Sequence, residues 1–69
     1  MDSKTKELVA IGASVAGHCQ PCLDHHLGKA KELGIADNDI REAIELSKTI
    51  SGAGDKRMAE FTEKLLANK

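Results

Sequence analysis

The sequence contains no tryptophan or tyrosine, and Phe61 is its single phenylalanine. Nucleic-acid bases therefore have no aromatic platform on which to stack. The formal net charge is −1, so the basic surface typical of nucleic-acid-binding proteins is also missing. No apolar run approaches the roughly 20 residues that span a membrane, and residues 1–6 lack the apolar segment of a signal peptide. We expect a cytoplasmic protein with no nucleic-acid and no membrane partner.

The chain is also short, which limits the size of its hydrophobic core. We expect its 69 residues to form a single domain, residues 1–69. A domain of about this size buries only about 60% of the surface that its unfolded chain exposes. Small domains usually gain stability from disulfides, metals or further subunits. A bond between Cys19 and Cys22 would close a loop too short to constrain the unfolded chain much. We therefore expect a homo-oligomer.

Apolar residues recur at helical spacing along the whole chain, and no segment alternates as a strand does. Gly12 lies within the first predicted helix and indicates close approach of another helix. Asp2 or Ser3, and later Asp37, are predicted N-caps, and Gly34 is a predicted helix stop. The sequence predicts an all-α fold of four helices, over about Lys4–Ala16, Gln20–Leu33, Asn38–Ser51 and Asp55–Ala67.

The predicted break between the last two helices lies at Ser51-Gly52-Ala53-Gly54, where two glycines weaken the helix. The fourth helix would then direct its apolar side chains inward, to the core or to a subunit interface. Those side chains belong to Met58, Phe61, Leu65 and Leu66.

The ten residues from Gly17 to His26 contain both cysteines and all three histidines of the chain. Pro21 favours the first turn of a helix, so the free N–H groups and positive dipole end of that helix should favour thiolates at Cys19 and Cys22. His26 follows Cys22 by four residues on the face predicted to be buried. Its imidazole can accept the thiol proton. The segment indicates a dithiol redox centre.

Helical spacing pairs the histidine with the second cysteine, so we predict Cys22 as the attacking thiolate and Cys19 as the resolving partner. A peroxide would convert Cys22 to a sulfenic acid, with which Cys19 condenses. A disulfide substrate would give a mixed disulfide that Cys19 resolves. A third group, a carboxylate, can orient the imidazole. Glu7 is the candidate, although a simple antiparallel packing of the first two helices leaves its contact with His26 open.

Zinc binding is the main alternative from a different class of function. Cys19, Cys22 and His26, with either His25 or His18, could supply four tetrahedral ligands. Against this, the ligands crowd into one helix start, and no second C-x-x-C motif is present.

The order Glu7, Cys19-x-x-Cys22, His26 and Gly34 resembles the carboxymuconolactone decarboxylase family, and within it the AhpD-type alkylhydroperoxidases. The flanking segments Lys6–Ile11 and Ile40–Glu45 are also similar to that family. The resemblance covers nearly the whole chain, as a short form with one core repeat.

The resemblance implies an all-helical fold that assembles into trimers or hexamers. It implies reduction of peroxides or disulfides, with an external dithiol as electron donor and no bound cofactor or metal. The site residues that it implies are Cys22 as nucleophile, Cys19 as resolver, His26 as base and Glu7 as partner of His26. AhpD-like proteins often have a histidine where this sequence has Pro21, so general thiol–disulfide exchange is the alternative activity.

Overall fold

The computed structural model describes residues 1–68 and shows three helices joined by short turns: α1 (Ser3–Ala16), α2 (Gln20–Glu32) and α3 (Asp37–Ala67). No strand occurs among these residues, so the predicted all-α class is confirmed. None of the three helices is long and apolar enough to cross a membrane.

The prediction of four helices is wrong, because α3 runs without interruption through Ser51-Gly52-Ala53-Gly54. Each glycine costs a helix only about 1 kcal/mol relative to alanine. Starting a new helix is intrinsically more costly than extending an existing one. With no proline in the segment, the helix continues to Ala67.

Two N-cap predictions have different outcomes. The Asp2 carboxylate accepts a hydrogen bond from the Thr5 backbone N–H over 2.7 Å, as predicted. That bond lowers the pKa of Asp2, so the stabilisation by this cap is present at neutral pH and is lost as the pH falls through the folded-state pKa. The Asp37 prediction is wrong: Ala36 is the N-cap residue. Asp37 lies in the first turn, where it accepts from Arg41 Nε over 2.7 Å.

The end of α2 follows the prediction for Gly34, which adopts a left-handed φ of 71°. Two backbone bonds close this end: Gly34 N–H donates to Lys31, and Ile35 N–H donates to Ala30. This pair of bonds defines a Schellman motif, which requires a left-handed residue after the C-cap. Glycine takes that conformation without the steric cost of a Cβ atom.

We expect Gly34→Ala to lower the free energy of unfolding by about 1–2 kcal/mol, the cost of a left-handed L-residue. A Cβ atom at Gly34 meets no atom within 4 Å, so the effect is conformational rather than steric. Gly28→Ala is the matched control, because Gly28 also has open space around it but lies inside α2. This control should stabilise the protein by about 0.5–1 kcal/mol. Urea unfolding of both variants checks the opposite signs.

The core is small and centres on α1, which packs against both α2 and α3, whereas α2 and α3 make little contact. Ile11 of α1 is completely buried. A Cβ atom at Gly12 would lie only 2.7 Å from Ser47 Oγ on α3. The predicted close approach at Gly12 is confirmed, and the approaching helix belongs to the same chain. The other buried apolar residues are Ala30, Ile35 and Ile40.

The prediction that the end of the chain packs inward is wrong within the subunit. Met58, Phe61, Leu65 and Leu66 remain 62%, 54%, 48% and 69% exposed. The second half of α3 extends beyond the other helices, and the molecule measures 54 × 20 × 20 Å. Among residues 1–68, nothing covers this exposed stripe.

Candidate active site

The turn between α1 and α2 places the cysteine pair at the start of α2. Gly17 is the C-cap of α1 with right-handed φ, and the left-handed position falls on His18, with a φ of 57°. Cys19 N–H donates to the Ser14 carbonyl, and His18 N–H donates to the Val15 carbonyl. A non-glycine residue in this conformation is uncommon. Gly17 therefore does not supply the left-handed residue that reverses the chain, although α1 ends beside it.

Cys19 is the N-cap residue of α2, and its Sγ atom accepts a hydrogen bond from the Cys22 backbone N–H over 3.3 Å. The two cysteines form a disulfide, with their Cα atoms 5.3 Å apart. Pro21 lies in the first turn, as predicted. The positive end of α2 therefore acts on Cys19 directly, which favours a thiolate at that sulfur when the bond is open.

Glu7 and His26 form the most specific polar contact of the fold. His26 Nδ1–H donates to Glu7 Oε2 over 2.8 Å. The Glu7 side chain is 10% exposed and that of His26 is 29% exposed. A carboxylate only accepts hydrogen bonds, so Nδ1 carries a proton and is the donor in this contact. In the neutral ring, Nε2 is then the atom with a free lone pair, and it can accept a proton.

This contact forms within one subunit, which answers the question that the sequence left open. Glu7 lies ten residues before Gly17, and His26 lies nine residues after it. Because α1 and α2 pack as a tight hairpin, the two residues are at nearly the same depth from the turn. His26 is almost two turns into α2.

The structure differs from the prediction at Cys22, which we expected on the buried side of α2. Cys22 is exposed and Cys19 is half-buried. The face of α2 that packs on α1 runs through Leu23, Leu27 and Ala30, and Cys22 lies at its margin. The second cysteine is therefore the more exposed of the two residues.

The remaining histidines lie around the dithiol. His18 Nδ1–H donates to the Val15 carbonyl over 3.3 Å, and the residue lines a shallow depression of about 300 Å³ together with Cys19 and Leu23. His25 is exposed, and its ring meets that of His26 edge to face with the centroids 4.9 Å apart. From the sequence, His18 has no predicted role beyond that of a possible zinc ligand.

The described part of the chain contains no set of side chains that could form the zinc site considered above. Nowhere among residues 1–68 do three or more histidine, cysteine, aspartate or glutamate side chains gather in a group that could hold a metal ion. His26 directs one of its two nitrogens to Glu7.

Taken together, the features define a helical protein with a paired-cysteine turn beside a histidine–carboxylate pair. A model of the carboxymuconolactone decarboxylase family matches residues 1–63. The chain therefore belongs to that family. Searches of curated proteins and of solved structures found no match.

Proposed function

We propose that the protein is a thiol-dependent oxidoreductase of the AhpD type, which reduces hydroperoxides or disulfides through Cys19 and Cys22. The observation that carries this proposal is the placement of both sulfurs at the start of α2, with Cys22 four residues before His26, an imidazole held by Glu7. Dithiol chemistry needs a thiolate, a resolving thiol within bonding distance and a group that accepts the thiol proton. Each requirement has a candidate in this site.

In the first step, His26 Nε2 takes the Cys22 thiol proton, and the resulting thiolate attacks the outer oxygen of a hydroperoxide. The O–O bond breaks, Cys22 becomes a sulfenic acid, and the alcohol leaves with the proton that His26 returns. The exposure of Cys22 supports its role as attacking sulfur, because substrate reaches it without rearrangement. Glu7 orients the ring and stabilises its protonated form.

In the second step, the Cys19 thiol attacks the Cys22 sulfenic acid, which releases water and forms the disulfide. An external dithiol then attacks Cys22 to form a mixed disulfide from which Cys19 leaves as a thiolate, and the donor's second thiol releases Cys22 by closing the donor's own disulfide. The Cys22 N–H that bonds to Cys19 Sγ stabilises that leaving group, and a stabilised thiolate leaves faster. No organic cofactor or metal is required, and we expect the reaction to take place in the cytoplasm.

A thiol–disulfide reductase without peroxidase activity is the second candidate. The observation that favours it is Pro21, which precedes Cys22 at a position where AhpD-like proteins often have a histidine. An exposed sulfur at a helix start also accepts a disulfide substrate, in which case Cys22 forms a mixed disulfide that Cys19 resolves.

We expect the reduced protein to lose two thiols per chain on treatment with hydrogen peroxide and to regain both with dithiothreitol. Ellman titration before and after each treatment measures this directly. Turnover against a panel of peroxides and small disulfides, with a dithiol donor in excess, then separates the two candidate activities. Thiols that stay unreactive toward both oxidants, or that bind zinc stoichiometrically, would refute the redox proposal.

A further inference from the structure

Among residues 1–68, His18 is the one residue other than glycine that has a left-handed backbone conformation, with a φ of 57°. Such residues are uncommon, although histidine, asparagine and aspartate are enriched several-fold among them. Unusual backbone conformations are concentrated at functional sites, and this one lies directly before Cys19. The mechanism proposed above uses Glu7 and His26 but gives His18 no part.

The His18 ring is hydrogen-bonded to the end of α1. Its Nδ1–H donates to the Val15 carbonyl over 3.3 Å, because a carbonyl oxygen only accepts hydrogen bonds. In the neutral ring, Nε2 therefore has the free lone pair and can accept a proton. His18 is exposed, so a proton taken up at Nε2 exchanges readily with water.

His18 and Cys19 line the same shallow depression, whose volume is about 300 Å³. That volume is many times the roughly 30 Å³ of one water molecule in the liquid, so water can connect the two side chains. The other residues that line it are Ser14, Val15, Gln20 and Leu23. None of these titrates near neutral pH, and the Ser14 hydroxyl already donates to the Ala10 carbonyl. Within the depression, His18 is therefore the group that can take a proton from the Cys19 thiol.

His26 is poorly placed to serve both sulfurs. It follows Cys19 by seven residues, which is about 10 Å along a helix axis, whereas it follows Cys22 by only four. Its Nδ1–H already bonds to Glu7, which leaves a single nitrogen, Nε2, for the Cys22 proton. The resolving sulfur needs another base.

We propose that His18 is the base for the resolving cysteine, so that each sulfur of the dithiol has its own histidine. This inference rests on the proposed function, because it assigns a residue to the second step of the same cycle. His18 Nε2 takes the Cys19 thiol proton, and the resulting thiolate attacks the sulfur of the Cys22 sulfenic acid. The S–S bond forms, the S–O bond breaks, and the hydroxyl leaves as water with the proton that His18 gives up.

The hydrogen bond on Cys19 Sγ supports the same assignment. This sulfur accepts from the Cys22 backbone N–H at the positive end of α2, which stabilises a thiolate. A hydrogen-bond donor stabilises the anion but removes no proton from the thiol. The backbone N–H and the His18 imidazole therefore have complementary parts, one holding the thiolate and the other producing it.

Alkylation of single-cysteine proteins by iodoacetamide tests the inference without any oxidant. In a Cys22→Ser background, His18→Asn should slow alkylation of Cys19 about 10–30-fold at pH 7, because an ordinary cysteine is only about 3% thiolate there. Asparagine favours the left-handed conformation as histidine does, so the turn should persist while the base is lost. His25→Asn, at an exposed histidine of α2, is the matched control and should leave this rate unchanged.

The second cysteine shows whether the effect is specific to the first. In a Cys19→Ser background, His18→Asn should slow alkylation of Cys22 less than twofold, whereas His26→Ala should slow it strongly. In the protein with both cysteines, His18→Asn should let the Cys22 sulfenic acid accumulate after peroxide is added, and dimedone detects it.

Dependence on pH and on added imidazole separates a base from a residue that only shapes the turn. The effect of His18→Asn should disappear above about pH 9, where the Cys19 thiol ionises without assistance. Glycine takes the left-handed conformation without steric cost, so His18→Gly should keep the turn, and added imidazole should restore part of its alkylation rate. An unchanged Cys19 rate in His18→Asn, an equal loss at both cysteines, or a loss that persists at high pH would overturn the inference. A dithiol inert toward peroxides and disulfides would refute the proposed function and leave these alkylation rates as they are.

Discussion

Cys22→Ser should abolish turnover with peroxides and with disulfides, by roughly 10³-fold or more, as removal of an attacking nucleophile does. Cys22 is exposed at the margin of α2, so the smaller serine removes little packing, and the fold should persist. The Cys19 thiol that remains is half-buried and faces the Cys22 N–H, where it has no imidazole one turn along the helix. The measurement is steady-state turnover with a dithiol donor in excess.

Cys19→Ser provides the contrasting variant. Serine is among the best N-cap residues, so this change preserves the acceptor at the start of α2 while removing the resolving sulfur. We expect Cys22 to react once and to stop as a sulfenic acid, which dimedone labels at one site per chain. Rapid oxidation of Cys22→Ser, together with an inert Cys19→Ser protein, would reverse the roles of the two cysteines.

The second large effect concerns the histidine–carboxylate pair. In the reduced Cys19→Ser protein, His26→Ala should slow alkylation of Cys22 by iodoacetamide about 10–30-fold at pH 7. An ordinary cysteine is only about 3% thiolate at that pH, which limits the advantage that a neighbouring imidazole can give. The difference should shrink above about pH 9, where the thiol ionises without assistance. The rate of alkylation across this pH range is the measurement.

Glu7→Gln tests whether the carboxylate acts through the imidazole. The amide oxygen can still accept a hydrogen bond from His26 Nδ1–H, but the charge that stabilises an imidazolium is gone. A hydrogen bond to a charged group contributes about 1.5–3 kcal/mol, so peroxide turnover should fall roughly 10–100-fold. Glu7→Asp should recover part of the activity. Glu32→Gln, at an exposed carboxylate near the end of α2, is the matched control. Unchanged turnover in Glu7→Gln would show that Glu7 has only a structural role.

Several parts of the fold could be predicted from the sequence because local chemistry determines them. The Asp2 cap, Pro21 in the first turn of α2 and the left-handed Gly34 each depend on residues within one helical turn. The Glu7–His26 contact could also have been predicted. Glu7 and His26 lie ten and nine residues from Gly17, and a tight helical hairpin brings together residues that are equally far from its turn.

Other features depend on how the helices pack, which local sequence patterns do not determine. Whether the helix breaks at residues 51–54 depends on two free energies. One is the modest cost of glycine inside a helix, and the other is the packing that the following residues could gain by folding back. The exposure of Cys22 likewise depends on which edge of α2 meets α1, a rotation of a fraction of a turn that helical periodicity leaves undetermined.

The central position of α1 has a consequence for how the protein tolerates change. Glu7 contacts α2 and Gly12 approaches α3, whereas Val9 and Ala13 are exposed. Two sides of this fourteen-residue helix are therefore in contact with other helices, and substitutions on those two sides should be tolerated least. The outer surface of α2 beyond Cys22 has no comparable constraint, and neutral variation among relatives should accumulate there.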